Sequence, residues 1–311
     1  MDPLTYAGLV ILGLVVVFVL VSYQVYRRAF VPARPQWLDD FTFTPFEFQA
    51  DYEDVELVTA DGINFGAWHF RQPGSPQTVV ISGGHKGQRQ GALGIAVALW
   101  RKGFNVILYS YRGMPGSDRA PVTFGIKEVL ELQATIAFAR KRIPNARIGL
   151  LGYSMGAAVS LLGAAGEPGV QALVLDSPFS DLRRLLVENV RSATMLPGTP
   201  FVWLAGAMFW LRTRHRLSEC SPVEVMSALE PRPLFFIHGG ADAITNVNHS
   251  RRLYDAYRGP REIWIVQGAP HTGAYFADRP LYVERVAGFF ARHLGLDVSS
   301  HLRLVEEEEV S

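Results

Sequence analysis

Six short apolar runs, each closed by a glycine, proline or serine turn, narrow the folds open to this chain more than any other feature. They cover 78–82, 105–110, 146–151, 172–176, 233–238 and 262–267. Their near-continuous apolar character suits strands covered on both faces, and the stretches between them carry helical spacing. Strands divided by helices need right-handed crossovers, so the expectation is a mainly parallel sheet with helices on both sides. Functional groups should then gather at the carboxyl ends of the strands.

Two flanking patterns complete the layout. Residues 55–59 and 63–70 surround Asp61-Gly62, which predicts an antiparallel hairpin with a two-residue turn ahead of the parallel strands. The strand–helix alternation breaks once, over 181–229, where a cap insertion is expected. That insertion holds the apolar run 201–211, too short to cross a bilayer and read first as a buried cap helix, with a lid that touches lipid as the alternative. With 311 residues, 49% of them hydrophobic, the chain is long enough for one large α/β domain, placed at 50–295.

The amino-terminal segment is of a different kind. No charge occurs from Pro3 to Tyr26, a stretch that as a helix would run roughly 36 Å and cross a hydrocarbon core. Asp2 precedes it, and Arg27, Arg28 and Arg34 follow it. A secretory signal would carry its positive charge first and end in small residues, so an uncleaved single-pass anchor at 3–26 is expected. The basic flank predicts that the following domain faces the cytoplasm. Residues 27–49, with Pro32, Pro35 and Trp37, read as a linker, and 296–311, ending in Glu306 to Glu309, as a flexible acidic tail.

Charge and cysteine content exclude other classes. Thirty basic and twenty-nine acidic side chains leave +1, so no bulk field points to nucleic acid. The single cysteine, Cys220, rules out an intrachain disulfide. No Cys/His cluster has metal-ligand spacing, so no metal site is expected.

Chemistry concentrates at three strand ends. The strand at 148–151 runs into Gly152-Tyr153-Ser154-Met155-Gly156 and then into a small-residue helix. A serine on so sharp a strand-to-helix turn needs glycines on either side, because side chains there would strike neighbouring backbone. A serine hydroxyl is a poor nucleophile until a base takes its proton, and the base needs an orienting carboxylate. Asp242 follows the strand ending at His238, and His271 follows the strand ending at Gln267. Asp176 and Asp181 are rival acids at a neighbouring strand end, although turn and helix-capping roles also account for them.

Together these residues make the chain similar to the α/β-hydrolase superfamily, specifically its membrane-anchored members with a short helical cap. The loop Tyr111-Arg112-Gly113-Met114-Pro115-Gly116-Ser117 resembles the family's Arg-Gly-x-Gly-x-Ser loop with one extra residue, and Ser221-Pro222 resembles its approach to the acid strand. The resemblance implies a doubly wound sheet with an antiparallel opening hairpin, no cofactor, and an acyl-enzyme formed on Ser154. The oxyanion would be held by the N–H groups of Met155 and, from the turn Gly83-Gly84-His85-Lys86-Gly87, of His85. An anchor beside an apolar cap further suggests a lipid-derived or acylated substrate, a glycerolipid, a lysophospholipid or a thioester on an acylated protein, and the cap's expected place above the strand ends would let Phe201, Trp203 and Phe209, with Tyr153, line its pocket. A peptidase or amidase on the same triad, or a non-catalytic membrane interaction protein, are the other classes such a chain could serve.

Overall fold

Val79, Val80 and Ile81 are consecutive and all fully buried, yet Val80 packs on one side of the sheet and its two neighbours on the other. Both faces of that strand are therefore covered, as the continuous apolar run requires. The computed structural model describes residues 2–31, 43–85 and 89–296. These form an eight-stranded sheet in the order β1-β2-β4-β3-β5-β6-β7-β8. The strands are β1 (Tyr52–Val58), β2 (Asn64–Phe70), β3 (Gln77–Ser82), β4 (Asn105–Tyr109), β5 (Arg147–Tyr153), β6 (Val170–Asp176), β7 (Leu234–Gly239) and β8 (Arg261–Val266). β1 and β2 pair antiparallel, as do β2 and β4, while β3 to β8 are parallel.

The helices are α1 (Pro3–Phe30), α2 (Leu93–Arg101), α3 (Val129–Arg142), α4 (Met155–Ala165), α5 (Leu182–Thr194), α6 (Gly198–Thr213), α7 (Asn248–Ala256), α8 (Ala274–Ala277) and α9 (Arg279–Leu294). α2 and α9 bury their apolar faces on one side of the sheet; α3, α4 and the cap helices α5 and α6 belong to the core on the other.

The hairpin turn differs from its sequence reading. Thr59 N–H donates to the Ile63 carbonyl, so residues 60–62 make a three-residue loop, not a two-residue turn. The Thr59 hydroxyl holds it by donating to Asp61 at 2.7 Å while accepting the Ile63 N–H at 2.9 Å. Asp61 in turn takes two hydrogen bonds from the buried Arg112, at 2.8 and 3.0 Å, and Arg112 Nε donates to Glu131 on α3 at 2.7 Å. The Arg-Gly loop thus ties the hairpin to a helix on the core side; such a forked pair has both geometry and strength in its favour.

α1 and the cap are packed together. α1 continues to Phe30, through positions read as the start of the linker, because Ala29 and Phe30 bury against the domain. Phe18 meets Phe201 of α6 at 5.3 Å between ring centres, and Phe30 meets Phe209 at 4.4 Å and Phe124 at 5.7 Å. α6 is therefore not apolar-buried all round. Phe201, Val202, Ala205 and Phe209 face α1 and the core, while Trp203, Trp210 and Leu211 are exposed on its outer side. Among the described residues α1 alone is long and apolar enough to cross a membrane, and its central stretch is not buried by protein. Arg34, Pro32, Pro35 and Trp37 of the expected linker, Lys86 and Gly87 of the glycine-rich turn, and the acidic tail from 297 onward lie outside the described residues.

Candidate active site

β5 delivers Ser154 to the middle of the sheet's carboxyl edge. The serine has φ 52° and ψ −112°, a left-handed-side conformation that costs a non-glycine residue about 1–3 kcal/mol. Neighbouring glycines make room for it. A Cβ at Gly152 would lie 2.5 Å from Ala157 Cα, and one at Gly156 would run into the Ser82 and Gly83 carbonyl oxygens, so α4 could not approach β3. Ser154 N–H donates to the Asp176 carbonyl at 2.8 Å, extending the β5–β6 ladder into the turn. Met155 is the first residue of α4, which leaves its N–H without an intrahelical acceptor.

Two further loops meet the serine. His271, five residues beyond β8, places Nε2 2.9 Å from Ser154 Oγ and Nδ1 2.7 Å from Asp242 Oδ2. Asp242, three residues beyond β7, has its side chain sealed from solvent. Its Oδ1 accepts the N–H groups of Ile244 and Thr245 at 2.9 and 2.8 Å. Burial alone would raise this carboxyl, but hydrogen bonds from His238, His271 and the Thr245 N–H outweigh it and hold the group well below the ordinary carboxylate range. A neutral His271 with its proton on Nδ1 therefore donates to a carboxylate and keeps Nε2 free to accept from the serine.

His238 was not singled out from the sequence. It ends β7 fully buried, with Nε2 2.8 Å from the Thr245 carbonyl and 3.3 Å from Asp242 Oδ2, while Ser250 Oγ lies 2.7 Å from its Nδ1. It approaches the same carboxylate oxygen of Asp242 as His271 does. Its position four residues before Asp242, as the only polar residue in an apolar strand, is the signal that could have marked it.

The rival acids are accounted for otherwise. Asp176 is fully buried but bonds Tyr282 Oη at 2.9 Å and Ser177 Oγ at 3.0 Å, with no hydrogen bond to His271. Burial pushes its pKa up to about 6, against those hydrogen bonds. Asp181 caps α5 by accepting the Arg184 N–H at 2.7 Å.

Residues 81–211 match the family model described as the α/β hydrolase fold. An esterase of Pyrococcus furiosus, Pf2001, is similar in structure with a TM-score of 0.71 at 25% identity, over 85% of this chain and 98% of that one. The chain has the α/β-hydrolase fold. Similar sequences include YqkD of Bacillus subtilis, 28% identical over 79% of this chain and 81% of that protein. Another is the yeast protein YNL320W, described as a membrane protein, 27% identical over 80% of this chain and 82% of its own length.

The hydrolase has a cavity of about 760 Å³ opening on Ser154 and His271. Gly83, Gly84 and His85 form part of its wall, and a Cβ built on Gly84 would lie 3.8 Å from Ser154 Cβ. The His85 ring packs on Phe124 at 4.3 Å, and its Nε2 lies 3.4 Å from the Arg28 carbonyl. Tyr153 also lines the cavity, with its hydroxyl 3.2 Å from Tyr282 Oη. Phe201, Trp203 and Phe209 do not line it. Phe201 and Phe209 are spent on holding α1, and Trp203 points outward with 69% of its surface exposed. The cap instead contributes α5, through residues such as Leu186 and Val190, and the facing wall comes from α1. A sequence pattern cannot reveal that wall, because it depends on how the helix docks.

Proposed function

We propose that this hydrolase is a serine esterase or thioesterase that works through an acyl-enzyme on Ser154. The reading rests on one observation: an unbroken hydrogen-bonded line from Ser154 through His271 to Asp242, at 2.9 and 2.7 Å, set at the carboxyl edge of the sheet. His271 Nε2 takes the hydroxyl proton as Ser154 Oγ attacks an acyl carbonyl. The negative charge that develops on the carbonyl oxygen is received by the Met155 N–H and by an N–H of the Gly83–His85 turn, with His85 the donor expected by position. His271 then passes its proton to the leaving oxygen or sulfur, and a water molecule activated by the same imidazole releases the acid. Asp242 keeps the imidazole in the tautomer this cycle needs and stabilises the imidazolium that forms. The cavity and the apolar α1 favour a lipid-derived or acylated substrate at a membrane, with α1 as a single-pass anchor and the domain on the cytoplasmic side. Labelling of the full chain by a fluorophosphonate probe tests the nucleophile. Wild type is expected to label and Ser154→Ala to lose both labelling and ester hydrolysis, by about a millionfold in turnover. Undiminished labelling of Ser154→Ala would move the nucleophile elsewhere.

A further inference from the structure

One wall of the active-site cavity is built from the helix that resembles a membrane anchor. On one side it is walled by Leu20, Val21, Val25 and Arg28 of α1, and on the other by Leu186, Val190 and Thr194 of α5. The Arg28 end lies at the catalytic centre, where its carbonyl is 3.4 Å from His85 Nε2. From Arg28 to Leu20 the wall rises eight residues, or about 12 Å along the helix axis, and α5 rises by the same amount from Leu186 to Thr194. The cleft therefore leads away from Ser154 along α1 and into its apolar stretch. Leu20 belongs to the uncharged run that begins at Pro3, and apart from Phe18, which packs on the cap, the helix surface from Leu4 to Leu20 is mostly exposed apolar side chains.

The cap places its own apolar surface at the same level. Phe18 faces Phe201 and Phe30 faces Phe209, so α6 runs beside α1 in the same direction. The corner before α6, with Met195 91% exposed and Leu196 also exposed, lies level with or beyond Phe18. Apolar side chains so exposed beside a bilayer-length helix are costly in water and favourable in lipid. With α1 spanning a membrane, this corner and the far end of the cleft are in the acyl region.

We propose that α1 is a wall of the acyl-binding site, and that the cleft between α1 and α5 admits the acyl chain of a bilayer lipid from within the membrane. Leu20, Val21 and Val25 then set how long a chain can lie between the two helices while its carbonyl reaches Ser154. The polar side chains that interrupt this lining, Arg28 with Gln24 and Asn189, meet the ester and its headgroup. The inference rests on Ser154 being the nucleophile, and the test separates the two.

Full-length protein is reconstituted in phosphatidylcholine vesicles and labelled with a short fluorophosphonate; then kcat/KM is measured for palmitoyl and butyryl p-nitrophenyl esters. Val21→Trp and Val25→Trp fill the cleft from the α1 side, whereas Val19→Trp adds the same bulk to the opposite face of the helix. Each methylene excluded from the apolar wall costs about fourfold in binding. The palmitoyl-to-butyryl ratio is therefore expected to fall at least tenfold in Val21→Trp and Val25→Trp and to stay at the wild-type value in Val19→Trp. Equal ratios in all three labelled variants overturn the wall. Should the tryptophan variants fail to fold, a wild-type adduct with a long-chain fluorophosphonate carrying a terminal diazirine decides. Crosslinks on residues 20–25 or 190–194 support the cleft, and crosslinks confined to other segments overturn it. Absence of labelling in wild type would instead overturn the Ser154 reading and the wall with it.

Discussion

Tyr282 donates its hydroxyl to Asp176 at 2.9 Å, and this hydrogen bond separates two carboxylates that stand at adjacent strand ends. Asp176 is occupied by Tyr282 and Ser177, whereas Asp242 is left for His271. Asp242→Asn should fold and lose on the order of ten thousandfold in kcat, because an amide favours the wrong imidazole tautomer. Asp176→Asn keeps an oxygen to accept from Tyr282 and should lose less than tenfold. Steady-state kinetics on both variants check this, and a larger loss in Asp176→Asn would reverse the assignment.

Asp176 should also leave a mark on stability against pH. Its pKa is raised from the ordinary 3.8 to about 6 by burial, so folding favours the protonated form. The native state then binds more protons than the unfolded one between these values, and stability falls as pH rises through the window. The full effect is about 3 kcal/mol, present below pH 4 and lost above pH 6. Urea unfolding of the detergent-solubilised chain, followed by tryptophan fluorescence, should show this slope in wild type and a shallower one in Asp176→Asn. Asp242, held low, works with the opposite sign, and its contribution is lost only as pH falls below the usual carboxylate range.

The strand ends and the three side chains that meet there were legible because each rests on a local pattern. Every parallel strand lies within two residues of its apolar run, and Ser154, Asp242 and His271 stand just past carboxyl edges, where loops between strand and helix must carry them. Turn detail was less legible: Thr59 lengthens the hairpin loop through its own hydroxyl, a contact that dipeptide preference does not encode. The pocket wall was misassigned for a different reason. Phe201, Trp203 and Phe209 make an apolar run, but sequence does not say that α1 claims one face of it and leaves the other outward. His238 escaped notice because a buried strand histidine has no motif, only a partner four residues on.

The cap helix should accordingly respond residue by residue. Phe209 is fully buried against Phe30, so Phe209→Ala should cost about 3–5 kcal/mol and loosen α1 from the domain. Trp203 is exposed, and Trp203→Ala should change stability by less than about 0.5 kcal/mol and leave the chain-length preference of ester hydrolysis intact. Thermal unfolding and specificity constants measured on the same preparations check the pair. A selective loss on long-chain esters in Trp203→Ala would restore it to the pocket.

Membrane orientation can be predicted from the two ends of α1. Asp2 caps its amino terminus by accepting the N–H groups of Leu4 and Thr5, while Arg27 and Arg28 occupy its last turn. Positive charge flanking an apolar span favours the cytoplasmic side, and Arg27 and Arg28 lie on the side of the catalytic domain. The same arginines complement the helix dipole at its carboxyl end, so the preference costs the helix nothing. Because α1 continues without a break into its contacts with Phe124 and Phe209, the domain has to follow the arginines. Protease added to sealed right-side-out cells should leave the domain intact, and the same protease should digest it once the membrane is permeabilised. Digestion before permeabilisation would place the domain on the outer face.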